Sequence, residues 1–194
     1  MGKLMNRTDL SAQQLECEIA RLLDQNSKRR RAVIVLVILL ALTAGSVLAA
    51  TLKFPLLLVG GDSMEPTMKS GQLLMTVRTQ EFQRGDIVAF YHGNQLLIRR
   101  IIGCSGEEIY IDDHGRIMVN GENFADDHAD NPVLEPSNVT YPVQVPEGCF
   151  FLMGDNRAVS VDSRMSEIGC ISTARIVGKA IFRLWPFEDL TYFG

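Results

Sequence analysis

The sequence is poor in the residues that build metal and thiol chemistry. Its 194 residues include three histidines and four cysteines, with no C-x-x-C or H-x-x-x-H spacing. Zinc sites usually need such clusters of Cys and His, so we expect no metal and no cofactor. A cysteine protease is not indicated either, because no cysteine has a plausible base beside it in the pattern.

A basic surface is also missing from most of the chain. Residues 1–31 carry seven basic and four acidic groups, a net charge of +3, whereas residues 53–194 carry 12 basic and 19 acidic groups, a net charge of −7. Binding a phosphate backbone needs a basic face. Nucleic acid is therefore not an expected partner.

What the sequence does have is a long apolar run. Residues 32–52 contain 21 consecutive residues without a charge, and a helix rising about 1.5 Å per residue over that length crosses a hydrocarbon core of roughly 30 Å. We predict a transmembrane helix. A cleaved signal peptide is the alternative, because small residues near 47–49 leave a possible cleavage site, but 31 residues precede the run and it is longer than a signal peptide needs.

The charges on either side of the run predict its orientation. Residues 28–31 are all basic, whereas Lys53 is the only basic residue that closely follows the run. The positive-inside rule then places residues 1–31 in the cytoplasm and residues 53–194 outside, with the chain in the cell membrane and the lipid bilayer as a partner. Within residues 1–31, helical spacing predicts an amphipathic helix for membrane-surface binding or self-association; its apolar positions are Leu15, Ile19, Leu22 and Leu23.

Residues 53–194 are predicted to form one mainly β domain with closed or sandwiched antiparallel sheets. Short segments rich in Ile, Val and aromatic residues alternate with Gly, Asn, Asp or Pro turns. Residues 107–122 predict a hairpin in which Ile109 and Ile111 face Ile117 and Val119. The domain holds an odd number of cysteines, which permits at most one internal bridge; they are Cys104, Cys149 and Cys170.

Hydroxyl chemistry remains possible in such a domain. The segment GGDSMEPT at residues 60–67 places Ser63 just downstream of the apolar run. Without a recognisable histidine triad, a serine can still act with a lysine base that apolar surroundings keep neutral. The segment LLIRRIIG at residues 96–103 offers apolar surroundings but no lysine.

Four segments resemble the conserved boxes of the type I signal peptidases, in the same order and at similar spacing. They are VGGDSMEPTMKSGQLLM, RGDIVAF, IRRIIGCSGEEI and MGDNRAVSVDSR. The resemblance extends from about Leu58 to residues 184–186 and fits the short, single-anchor bacterial form. It implies a membrane-bound serine endopeptidase that removes signal peptides from exported precursors.

The resemblance also implies roles for individual residues. Ser63 matches the nucleophile, and its backbone N–H would contribute to the oxyanion hole. Met64 and Pro66 belong to its box, and Gly61 stands where some members place a hydroxyl donor. Ser160 matches the hydroxyl that orients the general base. The implied polar framework, in which Asp162 is expected to pair with Arg164 or Arg100, consists of Arg100, Asp155, Arg157, Asp162 and Arg164.

One position departs from the family's pattern. Arg99 stands where the resemblance places the general-base lysine, and Ser105 and Glu107 replace the usual proline and aspartate. An arginine side chain stays protonated near neutral pH and then cannot accept a proton from Ser63. Two hypotheses follow: a working signal peptidase, or a catalytically inactive assembly factor or chaperone that engages exported surface proteins without cutting them.

Overall fold

The computed structural model describes residues 7–125, 128 and 137–193. Residues up to Ala50 and residues Thr51–Gly194 form two separate compact units. Within the described ranges the regular elements are one long helix, twelve short strands and two single-turn 3₁₀ helices. Their bounds are α1 Arg7–Lys53, β1 Leu56–Leu58, β2 Leu73–Val77, β3 Ile87–His92, β4 Gln95–Gly103, β5 Glu108–Ile111, β6 Ile117–Val119, β7 Glu122–Asn123, β8 Val143–Gln144, β9 Cys149–Met153, β10 Ile171–Ser172, β11 Ile176–Trp185 and β12 Thr191–Tyr192, with 3₁₀ turns at Thr173–Arg175 and Phe187–Asp189.

Helix α1 is continuous and contains both segments that the sequence divides near residue 31. It begins at Arg7, and the first six residues lie outside the described part of the chain. Its side chains from Val33 to Leu52 are exposed, as expected for a segment whose partner is lipid. By length and composition the helix can cross a membrane.

The second unit is built from two antiparallel sheets, which confirms the predicted mainly β fold. The larger sheet has the order β1-β2-β11-β3-β4-β9-β10, with β12 paired to β11. The smaller one has the order β7-β6-β5-β8. The predicted hairpin is confirmed, because Ile109 pairs with Val119 and Ile111 with Ile117.

Strand β3 is buried on both faces. Its residues from Ile87 to Phe90 are all buried, and successive side chains of a strand point to opposite faces. Ile87 and Ala89 therefore join one apolar cluster with Met64, while Val88 and Phe90 join a second cluster. Strand β4 pairs with β3 from Gln95 to Arg100, and its residues from Ile98 to Gly103 are buried.

The three cysteines of the β unit are half-buried and free in this structure. Burial, together with the nearby Cys149, raises the pKa of the Cys170 thiol to about 11. Because the thiolate is the nucleophilic form of cysteine, Cys170 is a weak nucleophile at neutral pH.

Candidate active site

Ser63 lies in the loop that joins β1 to β2. The backbone N–H of Val59 donates to Gln72 O over 2.9 Å and closes the base of this loop. The side chains of Met64 and Met68 are almost completely buried in the core, so the turn that carries Ser63 is fixed from below. Pro66 is exposed on the same turn and Ser63 itself is half-buried. The hydroxyl is therefore held at the surface of a well-anchored loop.

Gly61 precedes this turn in a left-handed backbone conformation, with a φ of 79°. Its N–H donates to the Ser70 hydroxyl over 3.3 Å. Glycine adopts this conformation without the strain that a side chain would bring. The residue supplies no hydroxyl donor beside Ser63, as its identity predicts.

A second loop, residues 154–164, holds the backbone of the first one. The Asn156 backbone N–H donates to Ser63 O over 3.0 Å, and its side-chain amide donates to Asp62 O over 3.1 Å. Gly154 packs so closely that an added Cβ would lie 2.5 Å from Ser63 O. These contacts fix the peptide planes on either side of the Ser63 side chain.

Arg99 projects from β4 onto Ser63. Its Nη1 donates to Ser63 Oγ over 2.7 Å and to Ile98 O over 2.6 Å. Its Nε and Nη2 both donate to Val161 O, over 3.1 and 2.8 Å. The side chain is only 4 % exposed. Four of its five N–H groups therefore have acceptors, and all of these acceptors are uncharged.

The surroundings of Arg99 favour its neutral form more than water would. Burial lowers the pKa of the Arg99 guanidinium, and the charge of Arg164 lowers it further, while Asp162 opposes both effects. Desolvation always disfavours the charged form of a group. Among the described residues no carboxylate bonds Arg99 directly, so the charge is compensated only at a distance.

Two buried ion pairs stabilise the walls of the site. Arg100 binds Asp155 through two hydrogen bonds of 2.9 and 2.7 Å. Arg164 binds Asp162 over 2.9 and 3.0 Å, so the open question of Asp162's partner is settled in favour of Arg164. Asp162 also accepts the N–H of Gly154 over 3.0 Å. This pair therefore shapes the loop that holds Ser63.

Arg157, the remaining member of the predicted framework, lies on the same loop. Its Nε donates to Gly154 O over 2.9 Å, and its own carbonyl oxygen accepts a bond of 2.9 Å from Arg164 Nη2. Arg157 thus links Gly154 to Arg164 within the loop of residues 154–164.

Ser105 and Glu107, which replace the proline and aspartate of the family's pattern, stabilise the turn after β4 and do not contact Ser63. Glu107 accepts the backbone N–H of Cys104 over 2.7 Å and pairs with Arg84. Ser105 Oγ accepts the N–H of Gly148 over 2.6 Å. Neither contact reaches Ser63.

Comparison with known proteins assigns the chain to a family. Residues 29–185 match the family described as signal peptidase, peptidase S26. The chain belongs to the signal peptidase family S26.

Individual relatives agree with this assignment. A signal peptidase I of Bacillus licheniformis is 34 % identical over 146 residues, covering 69 % of this chain and 77 % of the relative. A signal peptidase IB of Staphylococcus aureus (strain MRSA252) is 32 % identical over 160 residues, covering 69 % and 79 %. A crystal structure of a signal peptidase I from Enterococcus faecalis V583 aligns with 51 % of this chain and 96 % of its own, at 30 % identity and a TM-score of 0.42.

Ser160 does not have the contact that the signal peptidase resemblance implies. Its side chain is 3 % exposed, and its Oγ has no hydrogen-bond partner in the described part of the chain. Arg99 directs its remaining N–H groups to Val161 O instead. Ser160 therefore does not orient Arg99, because the wide, planar guanidinium finds its acceptor one residue further along the loop.

Two residues of the candidate site could not be singled out from the sequence. Asn156 stands in the quoted MGDNR segment, but nothing in the sequence shows that its side chain reaches Asp62. Val161 contributes only its backbone carbonyl, to which residue type gives no clue. The one signal that the sequence offers for Asn156 is its position: it follows Asp155, shortly after the apolar segment that forms β9.

Proposed function

We propose that this protein is a membrane-bound serine endopeptidase that removes signal peptides from exported precursor proteins, with Ser63 as the nucleophile. One observation supports the proposal most: a half-buried serine, fixed through its backbone by Asn156, has its hydroxyl 2.7 Å from the buried cation of Arg99. A hydroxyl without a function does not need a buried charge beside it, because burying that charge costs free energy.

The proposed reaction is acyl transfer. Ser63 Oγ attacks the scissile carbonyl carbon, the new amino terminus leaves, and water hydrolyses the acyl-enzyme. The Ser63 N–H stabilises the oxyanion that develops on the scissile carbonyl oxygen.

The proton of Ser63 still needs an acceptor. Charged Arg99 only donates hydrogen bonds, whereas its neutral form can take the Ser63 proton, become a cation beside the oxyanion, and pass that proton to the leaving amine. Burial lowers the pKa of Arg99, so the neutral form is more populated than in an exposed arginine, and its fraction rises with pH. We therefore expect a peptidase that is slow at neutral pH and faster in alkaline solution.

The relatives described above are named signal peptidases, which favours the enzyme over the inactive assembly factor. The family match extends over both the Ser63 loop and the loop of residues 154–164.

We further propose that α1 anchors the protein with residues 1–31 in the cytoplasm and the β unit outside. The basic residues 28–31 precede the apolar run, and positive charges are retained on the cytoplasmic side. The substrates then meet Ser63 on the outer side of the membrane, where exported precursors emerge.

An exposed apolar surface on the β unit supports membrane contact. It is formed by β1, by the last residue of β11 and by the chain that follows, and its members are Leu56, Leu58, Trp185, Phe187, Leu190 and Tyr192, each at least half exposed. Trp and Tyr favour the membrane–water interface, and exposed large apolar side chains are candidates for membrane contact. We propose that this surface rests on the bilayer.

The test is cleavage of a signal-peptide precursor by the purified full chain in detergent, with Ser63→Ala as the control. We expect native protein to release a fragment whose cut follows small residues, identified by mass spectrometry, and Ser63→Ala to release none. Binding of the precursor without any cleavage between neutral and alkaline pH would overturn the proposal and favour the assembly factor.

A further inference from the structure

A second site lies at the other end of β2 from the Ser63 loop. An open groove of about 920 Å³ lies there, between the segment after β2 and the start of β11. Its lining includes Arg78, Thr79, Tyr91, Thr173 and Arg175. In the described part of the chain none of its lining residues is acidic, although residues 53–194 carry a net charge of −7. The two arginines therefore make this groove basic although the unit as a whole is acidic.

Arg175 is held in place for binding. Its Nε and Nη2 donate to Tyr91 O over 3.1 and 2.9 Å, and Nη2 lies 3.3 Å from His92 Nδ1. Its Nη1 has no acceptor among the described residues. The two N–H groups of Nη1 are therefore available as donors to a ligand, while Nε and Nη2 hold the side chain in place.

Arg78 connects the groove to the end of the apolar helix. Its backbone N–H donates to Lys53 O over 3.1 Å, and Lys53 is the last residue of α1. The exposed Arg78 side chain has no carboxylate partner in the described ranges. The nearest acid along the chain, Glu81, is exposed. Its backbone N–H donates to Thr79 Oγ1 over 3.0 Å. The Thr79 hydroxyl accepts this bond and can still donate its own hydrogen.

We propose that this groove binds the phosphate group of an anionic phospholipid. Two guanidinium groups and a hydroxyl form a donor set suited to phosphate oxygens, because arginine donates in a planar fork that matches them. The groove begins one hydrogen bond from the residue where the membrane-spanning helix ends, and lipid phosphates lie just outside the hydrocarbon core. The inference rests on the proposed membrane anchoring, but not on peptide cleavage.

The test uses the full chain in lipid nanodiscs of phosphatidylcholine, with or without phosphatidylglycerol. The readout is hydrogen exchange of the amides at residues 78–80 and 173–177, because residues 28–31 also attract anionic lipid and would dominate a total binding measurement. In detergent, inorganic phosphate and dihexanoyl phosphatidylglycerol are titrated separately with the same local readout. The variants are Arg78→Gln and Arg175→Gln, with Arg116→Gln on the smaller sheet as the control of equal charge change.

We expect phosphatidylglycerol, but not phosphatidylcholine, to slow exchange at both segments. Each groove variant should weaken the dihexanoyl lipid about fivefold, and Arg116→Gln should not. Arg175→Gln also loses the hydrogen bonds to Tyr91 O and could therefore misfold. In the described part of the chain the Arg78 side chain makes no such bond. If Arg175→Gln misfolds, the result for Arg78→Gln decides the test. Equal exchange in both nanodiscs, or phosphate binding as tightly as the lipid, would overturn the assignment to a lipid. Cleavage activity plays no part in these readouts, so failure here leaves the peptidase proposal standing.

Discussion

Arg99 Nη1 donates a hydrogen bond of 2.7 Å to Ser63 Oγ. The same nitrogen also donates to Ile98 O, so neither of its hydrogens is free. A guanidinium has no lone pair to offer. Ser63 therefore has a positive neighbour within contact distance that becomes a proton acceptor only by losing its own charge.

The rate of peptide cleavage should depend on pH in a definite direction. Burial lowers the pKa of Arg99 below that of an ordinary arginine, and the proton-accepting form is the neutral one. Raising the pH increases that form, so below the Arg99 pKa the rate should climb about tenfold per pH unit. Initial rates measured over the range in which circular dichroism shows a constant fold will check this. A plateau already reached at neutral pH would contradict it.

Ser160→Ala should not destabilise the native chain. The Ser160 hydroxyl is buried and has no partner among the described residues, and an unsatisfied buried group costs about 1–3 kcal/mol. We expect an unchanged or slightly increased free energy of unfolding in urea, and unchanged cleavage.

Ser163→Ala is the matched control. Its Oγ accepts the buried N–H of Leu152 over 2.9 Å, and removing it should cost about 1–3 kcal/mol. Equal losses for the two variants would mean that Ser160 has a partner after all.

Gly154→Ala should slow cleavage by about 100-fold, with circular dichroism confirming that the protein remains folded. The added methyl group would lie 2.5 Å from Ser63 O and against Ser160 Oγ, so the loop carrying Ser63 must move. A displacement of about 1 Å can cost on the order of 100-fold in rate. Gly60→Ala is the control, because an added Cβ there meets nothing within 4 Å. Full activity of Gly154→Ala would show that the position of the Ser63 backbone is not critical.

The Arg100–Asp155 pair should be needed as a pair. Both side chains are almost fully buried, so Arg100→Met leaves an uncompensated carboxylate and should cost about 3–5 kcal/mol of unfolding free energy. Adding Asp155→Leu should recover a large part of that loss, because the lone charge disappears. Urea unfolding of both single variants and the double variant gives the coupling. Strict additivity would contradict the account.

The sequence predicts the β architecture well, because the alternation of buried and exposed residues is local. The Ile109–Val119 register follows from it directly. The resemblance also predicts that Ser63 and Arg99 lie together, and they do. It does not predict that Ser160 Oγ has no partner among the described residues. That outcome depends on the Arg99 guanidinium donating to Val161 O instead. The sequence also does not predict the hydrogen bonds from Asn156 to Asp62 O and Ser63 O, because residue type does not identify backbone acceptors.

The sequence also does not predict that α1 is one continuous helix. Charge and apolar content divide the N-terminal residues near residue 31, but the helix runs on through that point. Residues 28–31 are compatible with a helix, and the ion pair between Lys28 and Asp24, one turn apart, supports it at 2.7 Å. A change in composition therefore does not mark an end of the helix here.

The most direct test of the central claim is cleavage of a signal peptide at neutral and alkaline pH by four full-length proteins: the native chain, Ser63→Ala, Arg99→Lys and the double variant. Lysine has an ordinary pKa of about 10.4, which burial lowers further, so Arg99→Lys should restore a general base and raise the neutral-pH rate by about 100- to 10,000-fold. We predict slow cleavage by the native chain that increases with pH, fast cleavage by Arg99→Lys, and none by either protein that lacks Ser63. A native chain that stays silent at every pH, while Arg99→Lys cuts, would contradict the claim that this signal peptidase is active with arginine at position 99.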